Sequence, residues 1–134
     1  MPVDGLITLR SSHAPKDTMN RLETEVKSKG MTVFARVDHA AGAVEVGLSL
    51  RPTELLIFGN AKVGTPLMEE IQTLGIDLPL KALVWQDASG ASFLSYNDPA
   101  FLAYRHGLDG ASNPTVDAMT AALKAIASKA TTPS

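Results

Sequence analysis

LPLKALVWQDASGASFLSYN, residues 78–97, decides the fold. Two runs of strand-forming residues flank Asp87-Ala88-Ser89-Gly90, a short connection with glycine at its end, and together they read as a β-hairpin. Working outward, the preceding chain alternates strands with helices. Residues 5–11 form a strand with Ile7 and Leu9 on one face. Pro15 suits a first helical turn, Met19, Leu22 and Val26 recur on one side, and Gly30 ends that helix. Residues 31–38 alternate Met31, Val33, Ala35 and Val37 against Thr32, Phe34, Arg36 and Asp38, the period of a strand. Asp38 is placed to cap a short Ala-rich helix over 39–47 with Val44 packed down. Residues 51–59 carry Leu55-Leu56-Ile57-Phe58, apolar on both sides, so this third strand is expected to be central or covered on both faces. Beyond it, Thr65-Pro66 opens a helix over 66–75. Residues 99–107 allow one more short helix, and Asn113-Pro114 starts a last one with Val116, Met119, Leu123 and Ile126 as its buried stripe.

A hairpin closing an alternating strand–helix series predicts a mixed sheet. The expected class is α+β: a two-layer sandwich with a mixed sheet of about five strands and helices packed mainly on one face. At 134 residues the chain makes one domain spanning 1–134, with 130–134 expected as a loose tail.

Composition narrows the function classes. Hydrophobic residues make up 45% and charged residues 19%, as in an ordinary globular protein. Fourteen acids against twelve bases give a net charge of −2, with no basic run, which argues against nucleic acid as a partner. Zero cysteines remove disulfides, thiolate chemistry, iron–sulfur clusters and sulfur-built zinc sites. The first residues lack the pattern of an export signal and no window approaches the ~18 apolar residues of a membrane span, so no membrane is expected and the cytoplasm is the default location.

Residues 58–68, FGNAKVGTPLM, come nearest to a cofactor motif. A nucleotide-binding P-loop needs Lys then Ser or Thr after its second glycine, and here Thr65 and Pro66 stand there. The motif therefore fails, and no cofactor is expected. What survives is a helix N-terminus whose amide donors, bracketed by Gly59 and Gly64, are placed to receive a small anion. Against it stands a plainer account, in which the glycines permit a turn that Asn60 ties with its own side chain.

His39 with its Ala-rich sequel, Leu56-Ile57-Phe58-Gly59-Asn60, Gly64-Thr65-Pro66-Leu67-Met68, Asp77-Leu78-Pro79-Leu80-Lys81 and Tyr96-Asn97-Asp98-Pro99 resemble the recurring blocks of domain-of-unknown-function family 302. The resemblance runs from the first strand to His106-Gly107. It implies a small α+β fold with helices on a curved mixed sheet, and self-association. It brings no established reaction.

The remaining candidates are single residues. Lys81 shares a strand face with Leu83 and Trp85, where its ammonium needs solvent, a carboxylate or a ligand. Asn97 ends a strand beside Asp98-Pro99, as a turn or a ligand contact would require. His13, His39 and His106 show no metal-ligand spacing, so no metal is expected. Asp77, Asp87, Asp98 and Asp109 fall on different loops, and nothing pairs them for acid–base work. The sequence thus favours a homodimeric binding module for a small polar or anionic molecule, with Gly59, Asn60, Gly64, Thr65, Lys81, His39, Asn97 and His106 as candidate contacts. Leu56, Phe58, Leu83 and Trp85 are expected to form the apolar patch that pairs two copies. A small hydrolase- or lyase-like enzyme with a histidine base is one alternative, and an adaptor without ligand is another.

Overall fold

The computed structural model describes residues 2–108 and 113–133. Along the chain run β1 (Leu6–Ser11), α1 (Pro15–Ser28), β2 (Thr32–Asp38), α2 (His39–Glu45), β3 (Thr53–Gly59), α3 (Ala61–Glu70), a 3-10 turn (Gln72–Ile76), β4 (Leu80–Gln86), β5 (Ser92–Asn97), α4 (Pro99–Arg105) and α5 (Pro114–Thr131). The strands form one sheet in the order β1-β5-β4-β3-β2. The α+β two-layer sandwich stands, but every neighbouring pair is antiparallel, so the sheet is not mixed. Helix length explains the difference. A parallel crossover must carry the chain back along a whole strand of about 23 Å. At 1.5 Å per residue, a helix the length of α2 covers about 10 Å and one the length of α3 about 15 Å, so each serves as an end connection. Among the helices that join strands, α1, with 14 residues and about 21 Å, is the longest, and it links the β1 edge to the β2 edge.

One face of the sheet carries Leu56, Phe58, Ala82, Val84, Leu94 and Tyr96, all buried, and α1 and α5 lie on it. Helix α1 contributes Met19, Leu22 and Val26, and α5 contributes Val116, Met119, Leu123 and Ile126. Both stripes match the apolar periodicity of the sequence. Burial of the Tyr96 ring, and next the Asp98 charge, push its phenol above the usual range. At the β2 margin Arg36 grips Glu54 with two hydrogen bonds, 2.7 and 3.1 Å, and reaches Asn20 and Glu23 on α1. This planar fork ties sheet to helix where the core thins out. The β4–β5 turn is held by Asp87, whose carboxylate accepts from Ser89 and from the Ala91 amide. Those bonds, the Ser89 hydroxyl first, keep its carboxyl below the usual range.

Three local expectations change. Val44 does not pack down: α2 buries nothing, although Asp38 does cap it through the Ala41 amide. The residues expected as the start of a loose tail are held, because α5 runs to Thr131 and buries both Ala130 and Thr131. On β3, Leu56 and Phe58 face the helices, so they cannot belong to an outward patch. Leu55 and Ile57 share the opposite face with Leu83 and Trp85.

Candidate functional site

A pocket of about 430 Å³ opens between the ends of β2, β3 and β4, the first turns of α3, and α5. Its wall is carbon and sulfur. Met31 and Phe34 come from the β2 end, Val63, Gly64 and Met68 from α3, Leu78-Pro79-Leu80 from the approach to β4, and Ala118, Met119, Ala122 and Leu123 from α5. Local sequence explains the hollow. Ala118 and Ala122 lie one turn apart on α5 and Gly64 has no side chain, so small residues face one another where larger ones would close the gap. A carbon added at Gly64 would sit 3.5 Å from Leu78, and one at Gly59 3.4 Å from Pro79. Leu67 is fully buried and anchors α3 to the core beside this space.

Polar groups collect at the mouth. Lys29, Asn60 and Thr65 line the same pocket, and all three are exposed. The amides expected to await an anion are already engaged. Helix α3 begins at Ala61, not at Pro66, because the Asn60 side chain caps the Lys62 amide at 2.9 Å and the Asn60 carbonyl accepts from Val63 and Gly64. Gly64, Thr65 and Pro66 therefore lie inside the helix; of the plainer account, Asn60 does tie the stretch with its side chain, but Gly59 ends β3 and Gly64 is helical, and neither adopts a left-handed backbone. Pro66 has no amide proton to give to the carbonyl four residues earlier, and α3 ends at Glu70.

The nominated residues separate. Gly59, Asn60, Gly64 and Thr65 line the pocket, whereas Lys81, His39, Asn97 and His106 do not. Lys81 pairs with Ile57 and faces away from the helices, with no ion-pair partner among the described residues. His39 is exposed at the start of α2, and Asn97 is exposed at the end of β5. His106 is enclosed by protein: Nε2 lies 2.6 Å from Asp77 Oδ2 and Nδ1 lies 2.9 Å from Thr73 Oγ1, while Arg105 braces the same carboxylate. These bonds tie the end of α4 to the turn preceding Leu78, so His106 supports one wall of the pocket from outside. His13 is similarly occupied by Thr132 and Asp17. Asp109 falls outside the described residues. No three His, Asp or Glu side chains cluster as metal ligands among the described residues.

Met31, Phe34, Met68, Ala118 and Ala122 were not nominated by sequence. The only signal was weak: methionines and alanines on separate elements, each at an apolar position, with nothing in the spacing to say that they face a common space.

The family model described as domain of unknown function DUF302 matches residues 7–126. The chain is 52% identical over 115 residues to a protein named "Fluoride-specific ion channel FluC 1" from Brucella suis biovar 1 (strain 1330), covering 86% of this chain and 45% of that protein. It is 52% identical, over 43% of its length, to the "Fluoride-specific ion channel FluC 1" of Brucella abortus biovar 1 (strain 9-941). The chain thus spans less than half the length of these curated relatives. A crystal structure of an uncharacterized conserved protein DUF302 from Bacillus stearothermophilus superposes with a TM-score of 0.83 at 22% identity, over 96% of this chain and 99% of that one. At that identity the likeness supports the fold alone.

Proposed function

The chain belongs to the DUF302 family, matched over residues 7–126, and from that premise and the pocket beside α3 we propose a cytoplasmic, homodimeric binding module for a small molecule whose buried part is apolar. The observation that carries this reading is the chemistry of the lining. Ligand sites of about 300–1,000 Å³ are mostly apolar with a few polar groups that fix orientation, and this pocket has that composition at 430 Å³. An apolar cavity of about 150 Å³ holds one benzene, so there is room for a medium-length acyl chain or two to three rings. Lys29, Asn60 and Thr65 at the mouth suit a polar or anionic end that stays near water. An anion bound wholly inside would lose its hydration for few donors, since the Lys62, Val63 and Gly64 amides are engaged. The enzyme alternative is weakened because no Asp, Glu or His is among the described residues lining the pocket.

Decanoate, an apolar chain ending in a carboxylate, is the simplest probe. Calorimetric titration is expected to give a dissociation constant of about 100 µM, reasonable for a ligand of this size, with a negative heat-capacity change from apolar burial. Binding of inorganic phosphate without binding of decanoate would overturn the reading.

The curated relatives favour a second reading, which does not compete for the pocket. Proteins named as fluoride channels must cross a membrane, yet no helix among the described residues is long and apolar enough to do so. The chain matches less than half of those relatives' length, which leaves room in the rest for a membrane portion beside the matched segment. This chain would likewise act beside a fluoride-handling membrane protein rather than conduct the ion. Vesicles reconstituted with the purified chain alone are expected to release fluoride no faster than empty ones; faster release would place conduction in the chain itself.

A further inference from the structure

We infer that two copies pair through the sheet face opposite α1 and α5, with β4 at the centre of the contact. The inference rests on the self-association half of the proposal above and is independent of the ligand. That face carries Leu55, Ile57, Leu83, Trp85 and Phe93, with Val37 at the margin. The register places them together: Val37 opposes Leu55, Leu55 opposes Leu83, and Trp85 opposes Phe93. The Trp85 and Phe93 rings stack at 4.7 Å.

The polar atoms amid these side chains satisfy one another. Ser95 Oγ receives the Trp85 indole N–H at 2.9 Å and exchanges a hydrogen bond with Thr8 at 2.8 Å, and Ser95 is only 3% exposed. Covering these side chains therefore strips water from carbon without orphaning the indole and hydroxyl donors among them.

Size and symmetry select the occupant. Five strands at about 4.8 Å spacing and about 22 Å length present roughly 500 Å² of footprint. Two such faces give about 1,000 Å², the level a specific interface has to clear, before surface relief adds to it. A two-fold axis lying in the interface and running across the strands at Leu83, on the middle strand of five, lays each strand against its own copy. The strand positions on this face include Lys81 and Arg10 but no acid, so there is no charge pattern to select a different protein. Lys81 lies two residues from Leu83, which sets the two Lys81 backbone positions about 13 Å apart along the strand direction across such an axis. That exceeds the Debye length of about 8 Å at physiological salt, and the self-repulsion is small. Two sheets packed in this way form a β-sandwich core with helices outside.

Trp85 is the sole tryptophan and reports on this surface alone. Sedimentation equilibrium of the wild type is expected to return twice the 14.2 kDa chain mass at micromolar loading. On dilution, Trp85 emission should move to longer wavelength with the same midpoint as dissociation. Leu83→Arg, which sets two cations against each other near the axis, should weaken association by at least about 100-fold. Leu48→Glu, in the exposed connection between α2 and β3 and not on a strand, should leave it unchanged. A wild type that stays monomeric sinks both this inference and self-association. A dimer whose Trp85 emission ignores dilution, or one that Leu48→Glu dissociates, sinks the proposed surface alone, and both of those readouts survive even if Leu83→Arg fails to fold.

Discussion

Gly5→Ala is expected to destabilise the chain by about 2–5 kcal/mol, the sum of a left-handed backbone penalty of 1–2 and an overpacking cost of 1–3. Gly5 precedes β1 with φ 75°, and a carbon added there would sit 2.2 Å from the ring of Phe101 on α4. Its carbonyl also accepts from the Asp98 amide at 2.8 Å, just where the chain leaves β5 for α4. Backbone and ring therefore close on each other, and neither yields cheaply. Gly30→Ala separates the two contributions. Gly30 has φ 77° at the end of α1, and nothing lies within 4 Å of an added carbon, so only the backbone penalty of about 1–2 kcal/mol applies. Urea unfolding of both variants measures the difference. Equal losses would mean that Phe101 moves aside freely.

Ala122→Trp has the larger functional effect. Ala122 is half-buried on the α5 wall of the pocket, and an indole there occupies the space assigned to the guest. Decanoate affinity should fall by about 100-fold, as expected when a ligand loses most of its apolar burial. Stability should change little. Overpacking a filled core costs about 1–3 kcal/mol, but here the ring enters existing room, leaving mainly the helix-propensity difference of about 0.5 kcal/mol. Unchanged decanoate binding would move the ligand elsewhere. A loss of several kcal/mol in stability would mean that the hollow cannot accept a side chain.

The two variants probe features of unequal visibility in the sequence. The hairpin at 78–97, the apolar stripes of α1 and α5, and the caps at Asp38 and Asn113 are all written in local spacing, and they fold as that spacing requires. Leu55-Leu56-Ile57-Phe58 announces a strand but not its phase: with four large apolar residues in a row, a period of two has no preferred face. The phase is settled by tertiary packing, which sends Leu56 and Phe58 beneath α1. Strand direction was equally hidden, since it depends on whether a helix can span a strand, and boundaries shifted by a few residues alter that answer. At α3 the Thr65-Pro66 pair resembles a helix start, yet Asn60 supplies the cap five residues earlier. The pocket was the least legible feature. Four nominated residues line it because glycine and a capping side chain mark its mouth, while its apolar walls come from four distant segments whose meeting no periodicity encodes.

The family assignment does not supply this chemistry, and the named activity of the Brucella relatives belongs to proteins more than twice as long as the matched segment. What the pocket can do follows from its walls. Engaged amides, an apolar interior and a polar mouth together favour an amphipathic guest over a free anion.

The most direct measurement is a decanoate titration read at the methionine methyl groups by NMR. Met31, Met68 and Met119 line the pocket, whereas Met19, fully buried on the inner face of α1, does not. A guest seated beside α3 will shift the first three signals together along one saturation curve and leave Met19 unmoved. Methyl signals that stay fixed while decanoate saturates, or a Met19 shift as large as the others, would contradict it.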